Sequence, residues 1–270
     1  MLTQDNKQIL ISTVLSRLSS AISHAEHAFS NTGINCLISC QTFENIKKPN
    51  IQKQTPSYEI VYTNSIGLSN NRNNALEAST ADYVWLLDDD VEVIADGCLK
   101  AFEELEKGSD EVISTCYAIE GGGARKDYKK EPFLHNKLSI MKVSSIEIMC
   151  SREALIKNGI LFDVRFGLGA EFKSGEENIF LSDCLNKGLS VMYHPICTSL
   201  HPDETSGGNY QDKLLLISKG AIIRRVYGIC GFPFVIAFFM KRLIGKELSP
   251  AKAVIATYYG IKGFFNVISH

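Results

Sequence analysis

The sequence predicts an α/β chain: a mostly parallel sheet flanked by helices, followed by an apolar helical tail. Three observations carry this expectation. Short β-rich runs alternate with helical stretches through the first half of the chain, which is how parallel sheets with crossover helices are written. Of the 270 residues, 45% are apolar and 21% charged, enough for a substantial core. From Lys219 onward eight lysines and arginines stand against Glu247 alone, a charge of +7, so the net −2 leaves −9 on the residues before it. The chain is long enough for one large domain or two small ones. The charge break divides it into a domain over 1–218 and a basic apolar tail over 219–270.

The first strand is read at Ile9 to Leu15, followed by a helical pattern through Phe29 that Asn31-Thr32-Gly33 breaks. A second strand runs from Asn35 to Cys40, and Lys47 to Ser57, with Pro49 and Pro56, reads as a loop. Tyr58 to Tyr62 is a third strand, Leu68 to Ser79 a helix, and Tyr83 to Leu87 a buried strand. Asp96 to Lys107 is helical and Val112 to Ile119 extended. The triple glycine Gly121 to Gly123 lacks the spacing of a phosphate-binding P-loop and reads as a mobile loop. Lys137 to Cys150 carries strand character, and Arg152 to Asn158 is a short helix closed by Gly159. Phe162 to Ala170 is a glycine-punctuated turn region. Ser174 is placed to cap a helix reaching Lys187, with Glu177 completing a capping box. Strands follow at Leu189 to Tyr193 and Pro195 to Leu200. Two apolar segments, Val226 to Met240 and Ala253 to Ile268, form the tail. The first is short for a membrane span, which favours helices lying in a membrane interface. A helical hairpin packed on the domain or in a dimer is the alternative.

The eight cysteines form no C-x-x-C pair and read as buried, reduced thiols of a cytoplasmic protein. The polar Met1 to Gln8 has no signal-peptide pattern. Nucleic-acid binding is disfavoured, because the body is acidic and the basic residues sit in apolar segments.

Asp88-Asp89-Asp90 directly follows the apolar strand Tyr83 to Leu87. Bare carboxylates are costly to bury, so the run belongs at a sheet edge. There it can meet a divalent cation such as Mg²⁺, which takes oxygen ligands and often shares them with phosphates. On an extended chain Asp88 and Asp90 would point to one side. An acidic turn is the plain alternative. Trp85 reads as core. His201, beside Asp203 and Glu204, is a further candidate metal ligand.

With these residues in view, the chain resembles the GT-A glycosyltransferases of family 2, the bacterial surface-polysaccharide group. Gly67-Leu68-Ser69-Asn70-Asn71-Arg72-Asn73-Asn74-Ala75 is similar to the family's G-x-S-x-x-R-N-x-(G/A) segment, Asp88-Asp89-Asp90 to its DxD, and Gly175-Glu176-Glu177 to its G-E-D. The resemblance covers residues 9–205 and implies a GT-A (nucleotide-diphospho-sugar transferase, Rossmann-like) fold. It implies a UDP-, GDP- or dTDP-sugar donor, a saccharide or lipid-linked acceptor, inversion at the anomeric carbon, and Mg²⁺ or Mn²⁺ on Asp88 and Asp90. It puts the catalytic base at Glu177, where the family has Asp; Glu176 or Glu171 is next in line. Thr13, Arg17, Gln41, Asn64, Arg72, Asp88 and Asp89 fall on the donor side.

The reading is therefore an inverting, metal-dependent glycosyltransferase of polysaccharide, O-antigen or capsule biosynthesis. It would sit peripherally at the inner face of the cell membrane through its tail, with homo-oligomerisation left open. A nucleotidyltransferase on a related fold would want a glycine- and lysine-rich signature that Leu10 to Ser20 lacks. A non-catalytic nucleotide-sugar-binding protein is the other alternative, against which the intact acids argue.

Overall fold

A computed structural model describes residues 6–42, 51–108, 110–123, 126–202 and 212–267. Its centre is strand β1 (Lys7–Val14), buried along all but its last residue. On either side lie β2 (Cys36–Gln41) and β5 (Tyr83–Asp88), both parallel to β1. A strand covered on both faces has no polar side to alternate with, which explains the unbroken apolar runs. Ile9 and Ile11 enter one core with Trp85 and Leu87, while Leu10 enters the other with Val84 and Leu86. Helices α1 (Leu18–Thr32) and α3 (Ala95–Glu106) cover the first face. Helices α2 (Leu68–Ala78), α4 (Arg152–Asn158) and α5 (Glu176–Asn186) cover the second.

The sheet continues through β4 (Tyr58–Thr63) and β3 (Ile51–Gln54) at one edge. At the other it runs through β9 (Ile148–Ser151), β7 (Val112–Ile119), β10 (Val191–His201) and β6 (Glu92–Val93), with β8 (Phe133–Leu134) also on β10. The long ladders β1–β2, β1–β5, β2–β4 and β7–β10 are parallel. The antiparallel ones are short. The sheet is thus mixed, parallel in its long members.

Several expected elements are corrected. The loop read over Lys47 to Ser57 contains β3, antiparallel to β4; Thr55 closes a turn onto Tyr58 with backbone and hydroxyl together, so Pro56 marks a hairpin tip. Residues 43–50 lie outside the described segments. Lys137 to Cys150 is mostly not strand. It makes 3-10 turns at Ser139–Lys142 and Ser145–Glu147 before β9. There the Asn136 side chain accepts from the Leu138 and Ser139 amides, and Ser144 and Glu147 form a reciprocal capping box. Such local bonds compete with a ladder for the backbone. The two strands read around Pro195 are one, β10, whose register shifts between Tyr193 and Cys197. Proline has no amide to give.

The tail is three helices, α6 (Lys213–Tyr227), α7 (Phe232–Ile244) and α8 (Pro250–Asn266). Asp212 caps α6, a 3-10 turn at Gly228–Gly231 separates it from α7, and Pro233 opens α7. The run Lys213–Ile244 is long and apolar enough by composition to cross a membrane. One face of these helices is packed: Val235 and Phe239 of α7 join Leu216 of α6 and Phe264 of α8. Helices α6 and α8 cross on glycine. A Cβ at Gly220 would fall 1.7 Å from the Gly260 carbonyl oxygen, and one at Gly263 1.9 Å from that of Ile217. The other face is open: Ile236, Met240 and Ile244 on α7, and Val254, Ile255 and Tyr258 on α8, are exposed at helical spacings of three and four.

Helix α3 depends on a similar approach to β10, since a Cβ at Gly97 would lie 1.9 Å from the Cys197 carbonyl oxygen. Gly97→Ala is expected to destabilise the fold by about 1–3 kcal/mol, the usual cost of overpacking, read as a lower midpoint in urea unfolding.

Candidate active site

The C-terminal ends of β1, β2, β4 and β5 meet along one rim, the place where open α/β sheets bind ligands. The register sets Ser12 beside Asp88, so Thr13 and the acid run share that rim. Strand β5 ends at Asp88, and Asp89-Asp90 is a turn. The extended geometry that would aim Asp88 and Asp90 the same way is therefore absent, and the three acids part company. Asp88 turns to Arg72, its Oδ1 2.9 Å from Nη2. Asp89 turns inward, 6% exposed, accepting the Thr13 hydroxyl at 2.5 Å and ion-paired to Arg17 at 2.8 Å. Burial pushes its carboxyl up, while the Thr13 hydrogen bond and Arg17 hold it down. Asp90 is the most open of the three and meets Arg17 at 3.1 Å.

The Gly67–Ala75 segment forms the first turns of α2, and its polar residues are ties. Asn71 donates to the Thr13 carbonyl and accepts the Ser39 hydroxyl, joining β1 to β2. Asn73 exchanges two hydrogen bonds with the Phe162 backbone, at 2.9 and 2.8 Å. Ser69 donates to the Phe166 carbonyl and Asn74 to Thr63 and Ser65. Gly67, at φ 105°, lies against Gly169, so the glycine-punctuated turn over 162–170 docks on the head of α2.

Arg72 is the centre of this arrangement. It is 2% exposed, with Nη2 on Asp88 and Nη1 on Glu176 Oε1, both at 2.9 Å. Burial opposes its charge, but Asp88, Glu176 and Glu177 outweigh it. The acid run that starts at Asp88 on β5 and the glutamate pair that starts at Glu176 on α5, 88 residues apart in sequence, thereby belong to one site.

The capping box expected at Ser174 and Glu177 is not formed. Helix α5 starts at Glu176, its N-cap is Gly175 at φ 94°, and no side chain caps it. The left-handed N-cap shifts the helix start by one residue, which puts Glu177 at the second helical position. Its carboxylate is left half-buried and, among the described residues, bonds only its own backbone amide. Burial first, then the charge of Glu176, pushes the Glu177 carboxyl well above the usual carboxylate range; Arg72 and Lys219 pull it back. Glu176 is a partner of Arg72, and Glu177 is the carboxylate of the pair left available.

The remaining candidates are more scattered. The Gln41 amide donates to the Ser65 carbonyl between β2 and β4, and Asn64 is exposed beside it. His201 ends β10 one step past the Leu200–Glu92 pair, hence near the acid turn. Its Nδ1 bonds the Pro202 carbonyl and its ring lies 5.8 Å from Tyr117. Asp203 and Glu204 lie outside the described residues. Among the described residues no three His, Cys, Asp or Glu side chains gather as a metal cage. Asp88 and Asp90 each commit one oxygen to an arginine. This donor set suits a hard cation that arrives with a diphosphate and draws its other ligands from phosphate and water. Lys219 of α6, whose charge acts on Glu177 and Glu176, is the site residue that sequence reasoning missed, since it was counted with the tail.

Residues 49–164 match the family described as Glycosyl transferase family 2. Among solved structures, TarS 1-349 of S. aureus superposes with a TM-score of 0.60 at 14% identity, over 96% of this chain and 81% of that one. The same TarS 1-349 fragment in complex with UDP-GlcNAc gives a TM-score of 0.61 at 13% identity, with the same coverage. At such identities these neighbours show the fold alone, and the fold is GT-A-like. No curated protein matches the chain.

Two outcomes are expected from this geometry. Arg72→Met leaves Glu176 buried without a counter-charge and should cost about 3 kcal/mol of stability, measured by chemical denaturation. Because the folded chain holds Glu177 protonated to a higher pH than the unfolded chain, near 4.3, native protein binds the extra proton in that window. Stability from this group is therefore greatest below the unfolded value and falls as pH rises through the raised one. Glu177→Gln should exceed the parent chain in thermal midpoint at pH 8 and lose that advantage at pH 4.

Proposed function

We infer, from the premise that this chain is a glycosyltransferase of family 2, that it moves a sugar with inversion from a nucleotide-diphosphate donor to an acceptor hydroxyl. The observation that carries this reading is the Arg72 bridge, which joins Asp88 on β5 to Glu176 at the head of α5 and leaves Glu177 available beside them.

The reaction is one in-line displacement. The acceptor oxygen bonds the anomeric carbon as the bond to the diphosphate oxygen breaks, and the diphosphate leaves with the electron pair. Glu177 takes the hydroxyl proton as general base. Its raised pKa fits that task, being closer to neutrality than an ordinary carboxylate. Arg17 and Arg72 place fixed positive charge at the rim where the leaving diphosphate gathers negative charge. Mg²⁺ or Mn²⁺ would be held by Asp88 and Asp90, with His201 the third candidate ligand, and would supply Lewis-acid stabilisation of that diphosphate. The neighbour TarS 1-349 is described in complex with UDP and with UDP-GlcNAc, which makes UDP-sugars the donors to try first. The acceptor is a saccharide or lipid-linked sugar.

The tail supports placement at the inner membrane face. The exposed stripes Ile236, Met240, Ile244 and Val254, Ile255, Tyr258 are bordered by exposed Lys241, Lys246, Lys252 and Lys262, the pattern of helices that lie in an anionic lipid surface.

A panel of nucleotide sugars, assayed for nucleoside diphosphate release with and without Mn²⁺, tests the chemistry. Glu177→Gln should lower kcat by at least about 100-fold with donor binding retained, and Asp90→Ala should abolish the Mn²⁺-dependent rate. Full turnover in Glu177→Gln would move the base elsewhere. For the tail, the double variant Met240→Glu/Ile244→Glu should lose flotation with vesicles containing anionic phospholipid; undiminished flotation would remove the membrane assignment.

A further inference from the structure

Helix α6 is fastened across the head of α5. The Ser218 hydroxyl accepts the Lys173 amide at 2.8 Å, just before the turn into α5. The Ile222 side chain fills the space over Gly175, where a Cβ would meet its Cδ1 at 2.2 Å. Arg225 forks onto Asp183 at 3.0 and 2.8 Å. Ser218, Ile222 and Arg225 recur at helical spacing, so one face of α6 lies along α5. Lys219 borders that face, one turn before Ile222, and is therefore carried toward the Glu176–Glu177 head.

We propose that Lys219 is a positioning residue of the transfer site, whose ammonium faces the Glu177 carboxylate and favours its charged, proton-accepting form against the burial and the neighbouring Glu176 charge that oppose it. This rests on the reading of Glu177 as the base. Lys219 is partly buried, and its ammonium makes no hydrogen bond among the described residues. A long cationic side chain ordinarily keeps its head in water; the seating of α6 over Gly175 and Lys173 carries this one beside the Glu176–Glu177 head.

The surrounding charges agree on its role. Arg72 approaches Glu177 from α2 but is already divided between Asp88 and Glu176. Glu176, next in sequence, works against ionising Glu177. Arg242 of α7 acts on Lys219 with like charge. Among the described residues, Lys219 is thus a cation near Glu177 that forms no ion pair of its own. Burial draws its pKa down, and the two glutamates oppose that.

The experiment compares Lys219→Met and Lys219→Arg in the full chain, with Lys219→Gln as the substitute should Met not fold. Two readouts are needed. In protein labelled with ¹³C at glutamate carboxyls, the Glu177 signal is identified by its loss in Glu177→Gln, and its titration midpoint is followed by NMR. Lys219→Met should raise that midpoint by about one pH unit, and Lys219→Arg should restore it. In the transfer assay the acidic limb of kcat/KM should move up equally, about tenfold in rate on the rising limb, with the donor KM within about twofold. An unchanged NMR midpoint in Lys219→Met overturns the proposal. A shifted midpoint with full activity in Glu177→Gln upholds the hold of Lys219 on Glu177 and overturns the assignment of Glu177 as base.

Discussion

The buried guanidinium of Arg72 is the constraint on which the site depends. A charge held at 2% exposure must be paired and hydrogen-bonded to be tolerated, and the two carboxylates that do so come from β5 and α5, far apart in sequence. Such a pair contributes little net stability over an apolar replacement, yet is costly to break. Its effect here is geometric: β5 and α5 cannot separate without stranding a charge. Removing Glu176 from play in this way is also what distinguishes it from Glu177, its neighbour in sequence.

The asparagines of α2 explain why that segment is so polar while being so buried. Asn71 is 2% exposed because it replaces water for the Thr13 carbonyl and the Ser39 hydroxyl. Asn73 does the same for the Phe162 backbone. Buried amides that both donate and accept specify one arrangement of their surroundings. The segment that resembles the family's motif thus sets the frame of the site as well as supplying one of its charges.

The strands around β1, the helices between them and the acid run were legible because their patterns are local: apolar runs, glycine breaks, carboxylates after a strand. What could not be read depended on partners distant in sequence or on backbone hand. The left-handed Gly175 moved the start of α5 and dissolved the capping box that Ser174 and Glu177 spell out. The turn at Asp89-Asp90 separated acids that alternation would have aligned. Polar side chains bonding their own backbone turned the stretch before β9 into 3-10 turns. Most consequentially, a composition break near Lys219 suggested a boundary, whereas α6 runs through it without interruption. Charge statistics record what a surface carries, and α6 is addressed to α5 by three contacts that no window of sequence displays.

The glycine seam between α6 and α8 gives the molecule an unusual kind of divisibility. Where Gly220 meets Gly260 and Gly263 meets the Ile217 carbonyl, the two helices touch backbone to backbone, with Leu216, Ile223, Ala256 and Phe264 packed in the same cluster. A chain cut in the link before Pro250 would bare a slot shaped for one particular helix and too narrow for an ordinary one. The α8 helix is the complement of that slot, so the seam selects its partner by the smallness of the residues that line it.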